Sequence, residues 1–212
     1  MRVAAIVVAA GAGERFGARK QFAPLGDSTP AALAVTAARS VAELVVLVAP
    51  GDVADDAHGA DAVTAGGSTR SCSVRARLAV VPPEFDVIVV HDAARPLATP
   101  MLFGSVLDAL ADETVAGVVP GLAVADTLKR VDDQGAVVAT VDRERLYGVQ
   151  TPQGFRAAWL RRAHDAGLDA TDDAALVEAI GGRVVVVAGE LDNRKVTTPE
   201  DLEAARAVLE AR

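Results

Sequence analysis

Five short polar clusters each follow an apolar run in this chain, and their residue types suit the handling of a small polyanion. The first is Ala10-Gly11-Ala12-Gly13-Glu14-Arg15-Phe16-Gly17-Ala18-Arg19-Lys20, directly after the run Val3–Ala9. Its small residues let backbone N–H groups come close to a ligand. Arg15, Arg19 and Lys20 add three cations within reach, a combination fitted to a nucleoside triphosphate. Two rival readings fit poorly. A dinucleotide fingerprint wants a third Gly where Phe16 stands, and a helix that Pro24 would interrupt. A P-loop wants Ser or Thr after its Lys, where this chain has Gln21. A tight turn without a ligand stays open from this loop alone.

The other clusters are Gly66-Gly67 with Ser71 and Ser73, His91-Asp92-Ala93-Ala94-Arg95-Pro96, Asp142-Arg143, and Asp192-Asn193-Arg194-Lys195-Val196-Thr197. The Gly pair with its hydroxyls could read the polar edge of a base, or make a turn and cap a helix. Asp92 could hold a ribose hydroxyl, a substrate hydroxyl or a metal, or serve a turn. A lone Arg143 or Lys195 is, by itself, an ordinary solvated charge.

The elements that must position these clusters alternate. Val3–Ala9, Leu44–Val48, Val87–Val90, Val115–Val119 and Val184–Val187 read as buried strands, with a short edge strand at Val63. Helices are predicted over 31–39, 71–81, 99–110, 156–166 and 172–180, the last stopped by Gly181-Gly182, and a final helix opens at Thr198-Pro199-Glu200-Asp201. Residues 21–27 and 52–59 read as irregular. This pattern predicts an α/β fold, an open, mostly parallel sheet flanked by helices. Thr127–Val131 and Ala136–Val141, joined by Asp132-Asp133-Gln134-Gly135, break the alternation and read as a β-hairpin. Too poor in apolar residues to be core, it is expected either to protrude and pack on a second subunit or to lie on its own domain.

Composition narrows the partners. The 212 residues suffice for a sizeable core and show no composition shift at which to divide the chain. A formal charge of −8 and 3% aromatic residues argue against nucleic acid and anionic membranes as partners. Cys72 is the one cysteine, so neither a disulfide framework nor a thiolate zinc site is expected, in keeping with a reducing cytoplasm. The chain opens on a strand, so no signal peptide is expected, and no apolar run approaches the ~18 residues of a membrane span.

Taken in order, Ala9–Arg15, Ala65-Gly66-Gly67, His91–Pro96, Asp126-Thr127-Leu128-Lys129, Val141–Phe155, Thr171-Asp172-Asp173 and Lys195–Leu202 resemble the 2-C-methyl-D-erythritol 4-phosphate cytidylyltransferase family across nearly the whole chain. The resemblance implies a single Rossmann-like nucleotidyltransferase domain over 1–212, with a protruding hairpin arm at about 121–145. It implies transfer of a cytidylyl group from CTP to a sugar-alcohol phosphate, with release of pyrophosphate, in the non-mevalonate isoprenoid pathway. By the same resemblance Ala10, Gly11, Gly13, Gly67, Ser73 and Asp92 would bind the nucleotide. Arg15, Lys20, Arg143 and Lys195 would be catalytic, and Asp92, Ala93, Arg143, Thr151 and Lys195 would hold the acceptor. Mg²⁺ would be the cofactor, held mainly by the triphosphate, with Asp92 as the candidate protein contact. A cytoplasmic homodimer is implied, built through the arm, so that Arg143 would serve the partner's site. Where the family often has Pro, this chain has Ala9, and Arg19 replaces the usual Pro before Lys20, which makes Arg19 an alternative phosphate contact. Two alternatives keep the site: a ribitol 5-phosphate cytidylyltransferase, and a nucleotide-binding protein without turnover.

The expected chemistry needs no general base. A phosphate oxygen is already ionised at neutral pH; the obstacle is bringing it against a triphosphate, so positioned cations carry the catalysis.

Overall fold

The computed structural model describes residues 1–11, 16, 19–51, 57–66, 74–75, 78–168 and 170–212. Among these, the predicted alternation folds into an eight-stranded sheet with helices on both faces. Strands β1 (Val3–Val8), β2 (Leu44–Ala49), β3 (Ala62–Ala65) and β4 (Val87–Asp92) pair in parallel, with β1 between β2 and β4. The chain therefore runs outward from β1 to β3 and then returns to the other side of β1. That reversal opens a crevice at the carboxyl ends of β1 and β4, where such sheets bind ligands.

Beyond β4 the sheet is mixed. Strand β5 (Gly117–Ala123) pairs in parallel with β10 (Val184–Ala188), but β8 (Tyr147–Val149) and β9 (Gln153–Arg156) run antiparallel, and β9 lies between β4 and β5. Neither β8 nor β9 was legible in the sequence. β9 is four residues long and reads Gln-Gly-Phe-Arg, with no apolar run to mark it. Its glycine is a packing requirement: a Cβ on Gly154 would come within 2.5 Å of Val106 Cγ1. Two further expectations are corrected. β4 extends through His91 and Asp92, because both pair with β1 opposite Val7 and Val8. Residues 20–22 form a short 3₁₀ turn rather than irregular chain.

Helices α1 (Pro30–Arg39) and α2 (Pro100–Ala109) cover one face; α3 (Ala157–Asp165) and α4 (Asp173–Ala179) cover the other. Ala5, Val7, Val45 and Leu47 point to the first layer, and Ala4, Ile6, Ile88 and Val90 to the second. This is the period-two alternation of strands buried on both sides. The expected helix at 71–81 falls largely on residues outside those described.

Most helix starts are as the sequence predicts. Thr29, Thr99 and Asp172 accept the capping N–H of Ala32, Leu102 and Ala175. In α5 (Pro199–Glu210) Thr198 and Asp201 form a capping box. The hairpin also forms, with β6 (Leu128–Val131) antiparallel to β7 (Val137–Val141). Its turn is held by Asp132 Oδ1, which accepts from the N–H of Gln134 and Ala136, and by Gly135 at φ 82°.

Candidate functional site

Three separate segments deliver side chains to the carboxyl edge of the sheet. β4 ends on Asp92, and Ala93 N–H continues the pairing by donating to Val8 O at 3.0 Å. The link before β9 brings Thr151. The loop after β10 brings Lys195, and its course is fixed by side-chain amides. Gln150 pairs with the backbone of Glu190 in both directions, donating to its O (2.9 Å) and accepting from its N–H (3.1 Å). Gly189 permits this approach, since a Cβ there would lie 2.7 Å from Gln150 Oε1. Asn193, fully buried, donates to Thr151 O and Gln150 Oε1 at 2.9 and 3.2 Å, and its own O accepts from Arg95 at 2.8 Å. Thr99 adds a hydroxyl bond to Glu190.

These ties bring Lys195 Nζ to 2.7 Å from Asp92 Oδ2, while Asp92 N–H donates to Thr151 Oγ1 at 3.0 Å. Asp92, Arg95, Thr151, Gln153, Asp172 and Lys195 line an open cavity of about 220 Å³. The Lys195 side chain is 43% exposed and that of Asp92 only 12%, so the ammonium reaches solvent from a largely buried carboxylate. The ammonium can thus exchange Asp92 for a ligand phosphate. Arg95 donates to two backbone carbonyls, those of Asn193 and Val149, and burial pushes its ionisation down, with the Asp92 charge opposing. A guanidinium stays charged regardless. Its Nε is buried, with no hydrogen-bond partner among the described residues. The cavity therefore has a cationic wall.

Of the residues named from the sequence, Asp92, Thr151 and Lys195 meet here, with Ala93 buried behind them. Ala10 and Gly11 lie just beyond the end of β1, where Gln21 Nε2 donates to Gly11 O at 3.1 Å. Lys20 opens the 3₁₀ turn beside them. Arg143 lies past the end of β7, exposed, and does not line this cavity of its own chain. Gly13, Arg15, Gly67 and Ser73 lie outside the described residues.

Among the described residues no group of three or more His, Cys, Asp or Glu could hold a metal ion. Asp172 uses both oxygens, for Ala175 N–H and Gln153 Nε2, whereas Asp92, paired through Oδ2 with the exposed Lys195 ammonium, is the cavity carboxylate that a metal could share. That donor set fits Mg²⁺ bound chiefly by phosphate oxygens and water, with one protein carboxylate.

Sequence reasoning gave no role to Arg95, Gln150, Gln153 or Asn193. Arg95 and Asn193 lie inside the quoted clusters, and their signal was adjacency to Asp92 and Lys195. Gln150 and Gln153 flank Thr151-Pro152 inside the quoted run Val141–Phe155, which marked them as part of a motif without giving either a role.

Behind the cavity His91 is fully buried, with its ring 5.1 Å from that of Phe103. Burial pushes the imidazole down from its ordinary 6.5 to about 4, against the opposing pull of the Asp92 charge and the Arg95 carbonyl. The folded state thus holds His91 neutral where the unfolded chain would protonate it. Stability from this group is complete above about pH 6.5 and is lost as pH falls towards about 4, where the loss amounts to about 3 kcal/mol. Urea unfolding at stepped pH should show this slope, and a His91→Leu variant should flatten it.

Comparisons with known proteins point to one family. A family model described as IspD, 2-C-methyl-D-erythritol 4-phosphate cytidylyltransferase, matches residues 3–211. The 2-C-methyl-D-erythritol 4-phosphate cytidylyltransferase of Streptomyces coelicolor is 46% identical over 100% of this chain and 86% of its own length. The bifunctional enzyme IspD/IspF of Clavibacter michiganensis is also 46% identical over 98% of this chain, which spans 54% of that protein. A crystal structure of the 2-C-methyl-D-erythritol 4-phosphate cytidylyltransferase of Thermus thermophilus superimposes with a TM-score of 0.82 at 35% identity, covering 97% of this chain and 98% of that one.

Proposed function

The chain belongs to the 2-C-methyl-D-erythritol 4-phosphate cytidylyltransferase family, and from that premise we propose that it joins CTP to 2-C-methyl-D-erythritol 4-phosphate. The products are 4-diphosphocytidyl-2-C-methyl-D-erythritol and pyrophosphate, a step of the non-mevalonate isoprenoid pathway. The observation that carries this reading is the Lys195–Asp92 pair at 2.7 Å, beside Thr151 and Arg95, on the rim where β1 and β4 end. An acceptor phosphate oxygen attacks the α-phosphorus of CTP, the bond to the β-phosphate's bridging oxygen breaks, and pyrophosphate departs with that oxygen. No proton moves, so no base is required. Lys195 and Arg95 offset the charge of the acceptor phosphate and orient it. Arg15 and Lys20, on the loop after β1, do the same for the triphosphate, whose base and ribose rest along Ala10, Gly11, Gly13, Gly67, Ser73 and Asp92. Mg²⁺, when bound, would neutralise part of the triphosphate charge, with Asp92 as its protein ligand.

The chain acts as one nucleotidyltransferase domain and as a homodimer through the arm. Val131, Val137, Val138, Leu146 and Tyr147 are exposed on or beside the arm, an apolar surface that a second copy would cover. Arg143, at the base of the arm and away from its own cavity, is then supplied to the partner's acceptor site. Cytoplasmic residence accords with a single cysteine, Cys72, and no helix among the described residues is long and apolar enough to cross a membrane.

An acceptor panel tests the reading. Pyrophosphate should be released from CTP and Mg²⁺ in the presence of 2-C-methyl-D-erythritol 4-phosphate. Faster release with ribitol 5-phosphate would reassign the acceptor, and CTP binding without release from either would reassign the protein to a non-catalytic role.

A further inference from the structure

We propose that His91 is a positioning residue for the acceptor: it commits the one hydroxyl hydrogen of Thr151 inward, so that towards the cavity Thr151 only accepts hydrogen bonds and reads a hydroxyl of the polyol, not its phosphate. The inference rests on the reading of this cavity as the acceptor site.

It follows from counting hydrogens. His91 Nε2 lies 3.2 Å from Arg95 O, and a carbonyl oxygen only accepts, so Nε2 carries the hydrogen. The ring is fully buried, with a carbonyl at one nitrogen and a hydroxyl at the other, so it is neutral and its Nδ1 is bare. Nδ1 lies 3.0 Å from Thr151 Oγ1, so the threonine must donate there. One lone pair of the same oxygen receives the Asp92 N–H at 3.0 Å. Thr151 is left with a single lone pair and no hydrogen to give. A phosphate oxygen at neutral pH brings no hydrogen either and finds no partner in it. A substrate hydroxyl does bring one. The division of labour is then clear: Lys195 and Arg95 hold the phosphate, and Thr151 selects a carbon chain that bears a hydroxyl at the matching position.

The test uses the full chain, with kcat and KM measured separately for acceptor and CTP, and acceptors that lack one hydroxyl at a time. In the unaltered protein one deoxy acceptor should show a KM raised about tenfold, the cost of one lost hydrogen bond, with the KM for CTP unchanged. His91→Leu should raise the KM of the complete acceptor by about the same factor and erase its advantage over that deoxy analogue. His91→Asn, which can offer an amide oxygen to Thr151, should restore most of both. Thr151→Val, which keeps the side chain's shape and removes its oxygen, should behave as His91→Leu, a result that stands even if the leucine variant fails to fold. The inference is overturned if all deoxy acceptors rank alike in parent and variants, or if the His91 variants lower kcat for both substrates with both KM values unchanged. No turnover by the unaltered protein with any polyol phosphate would overturn the function itself, and this inference with it.

Discussion

Lys195→Ala is expected to lower kcat/KM for the acceptor by about 10²–10³, the range seen when one preorganised charge partner of a reacting oxyanion is removed. Two effects add. The ammonium no longer offsets the incoming phosphate, and Asp92, 2.7 Å away in the folded protein, becomes a repelling charge beside it. Steady-state pyrophosphate release with the acceptor varied will measure the loss, and the affinity for CTP should change far less. Stability should fall as well, because the Asp92 carboxylate, only 12% exposed, loses its Lys195 counter-charge. A variant that keeps kcat/KM within threefold of the parent would remove Lys195 from the mechanism.

The largest stability effect is expected at Phe103. Its side chain is completely buried in the layer between α2 and the sheet, against the His91 ring. Phe103→Ala should cost about 3–5 kcal/mol, the transfer loss plus the cavity left behind, read as a lower urea midpoint at unchanged slope. The same cavity frees the His91 ring to turn, so the KM for the acceptor should rise in whatever fraction remains folded. A cost below about 1 kcal/mol would mean that the surrounding helices collapse onto the gap.

Much of this architecture was legible in the chain because it is local. Val3–Val8 and Val87–Val90 announce themselves as apolar runs, Thr29-Pro30 and Thr198-Pro199 as helix starts, and Asp132 to Gly135 as a turn. The mixed half of the sheet was not legible, since β9 owes its central place to a glycine that lets α2 approach and to pairing on both sides, neither of which leaves a periodic pattern. The site divides in the same way. Asp92 and Lys195 are 103 positions apart and carry no mutual signal; the ordered set of family motifs supplied what spacing could not. The supporting amides of Gln150 and Asn193 became visible only once the loop after β10 was seen folded against the link before β9. The charge logic, by contrast, could be read early. A chain of net charge −8 that gathers cations after its strands needs a small anion to justify them.

The central claim is that this rim lets a phosphate oxygen of the acceptor attack the α-phosphorus of CTP, and oxygen labelling tests it directly. With ¹⁸O in every phosphate oxygen of the acceptor, phosphorus NMR of the product should show an isotope shift on both phosphorus resonances, since a labelled oxygen now bridges them, and the pyrophosphate should carry no label. A shift confined to the acceptor-derived phosphorus, label in the pyrophosphate, or CMP formed beside unchanged acceptor would contradict the account.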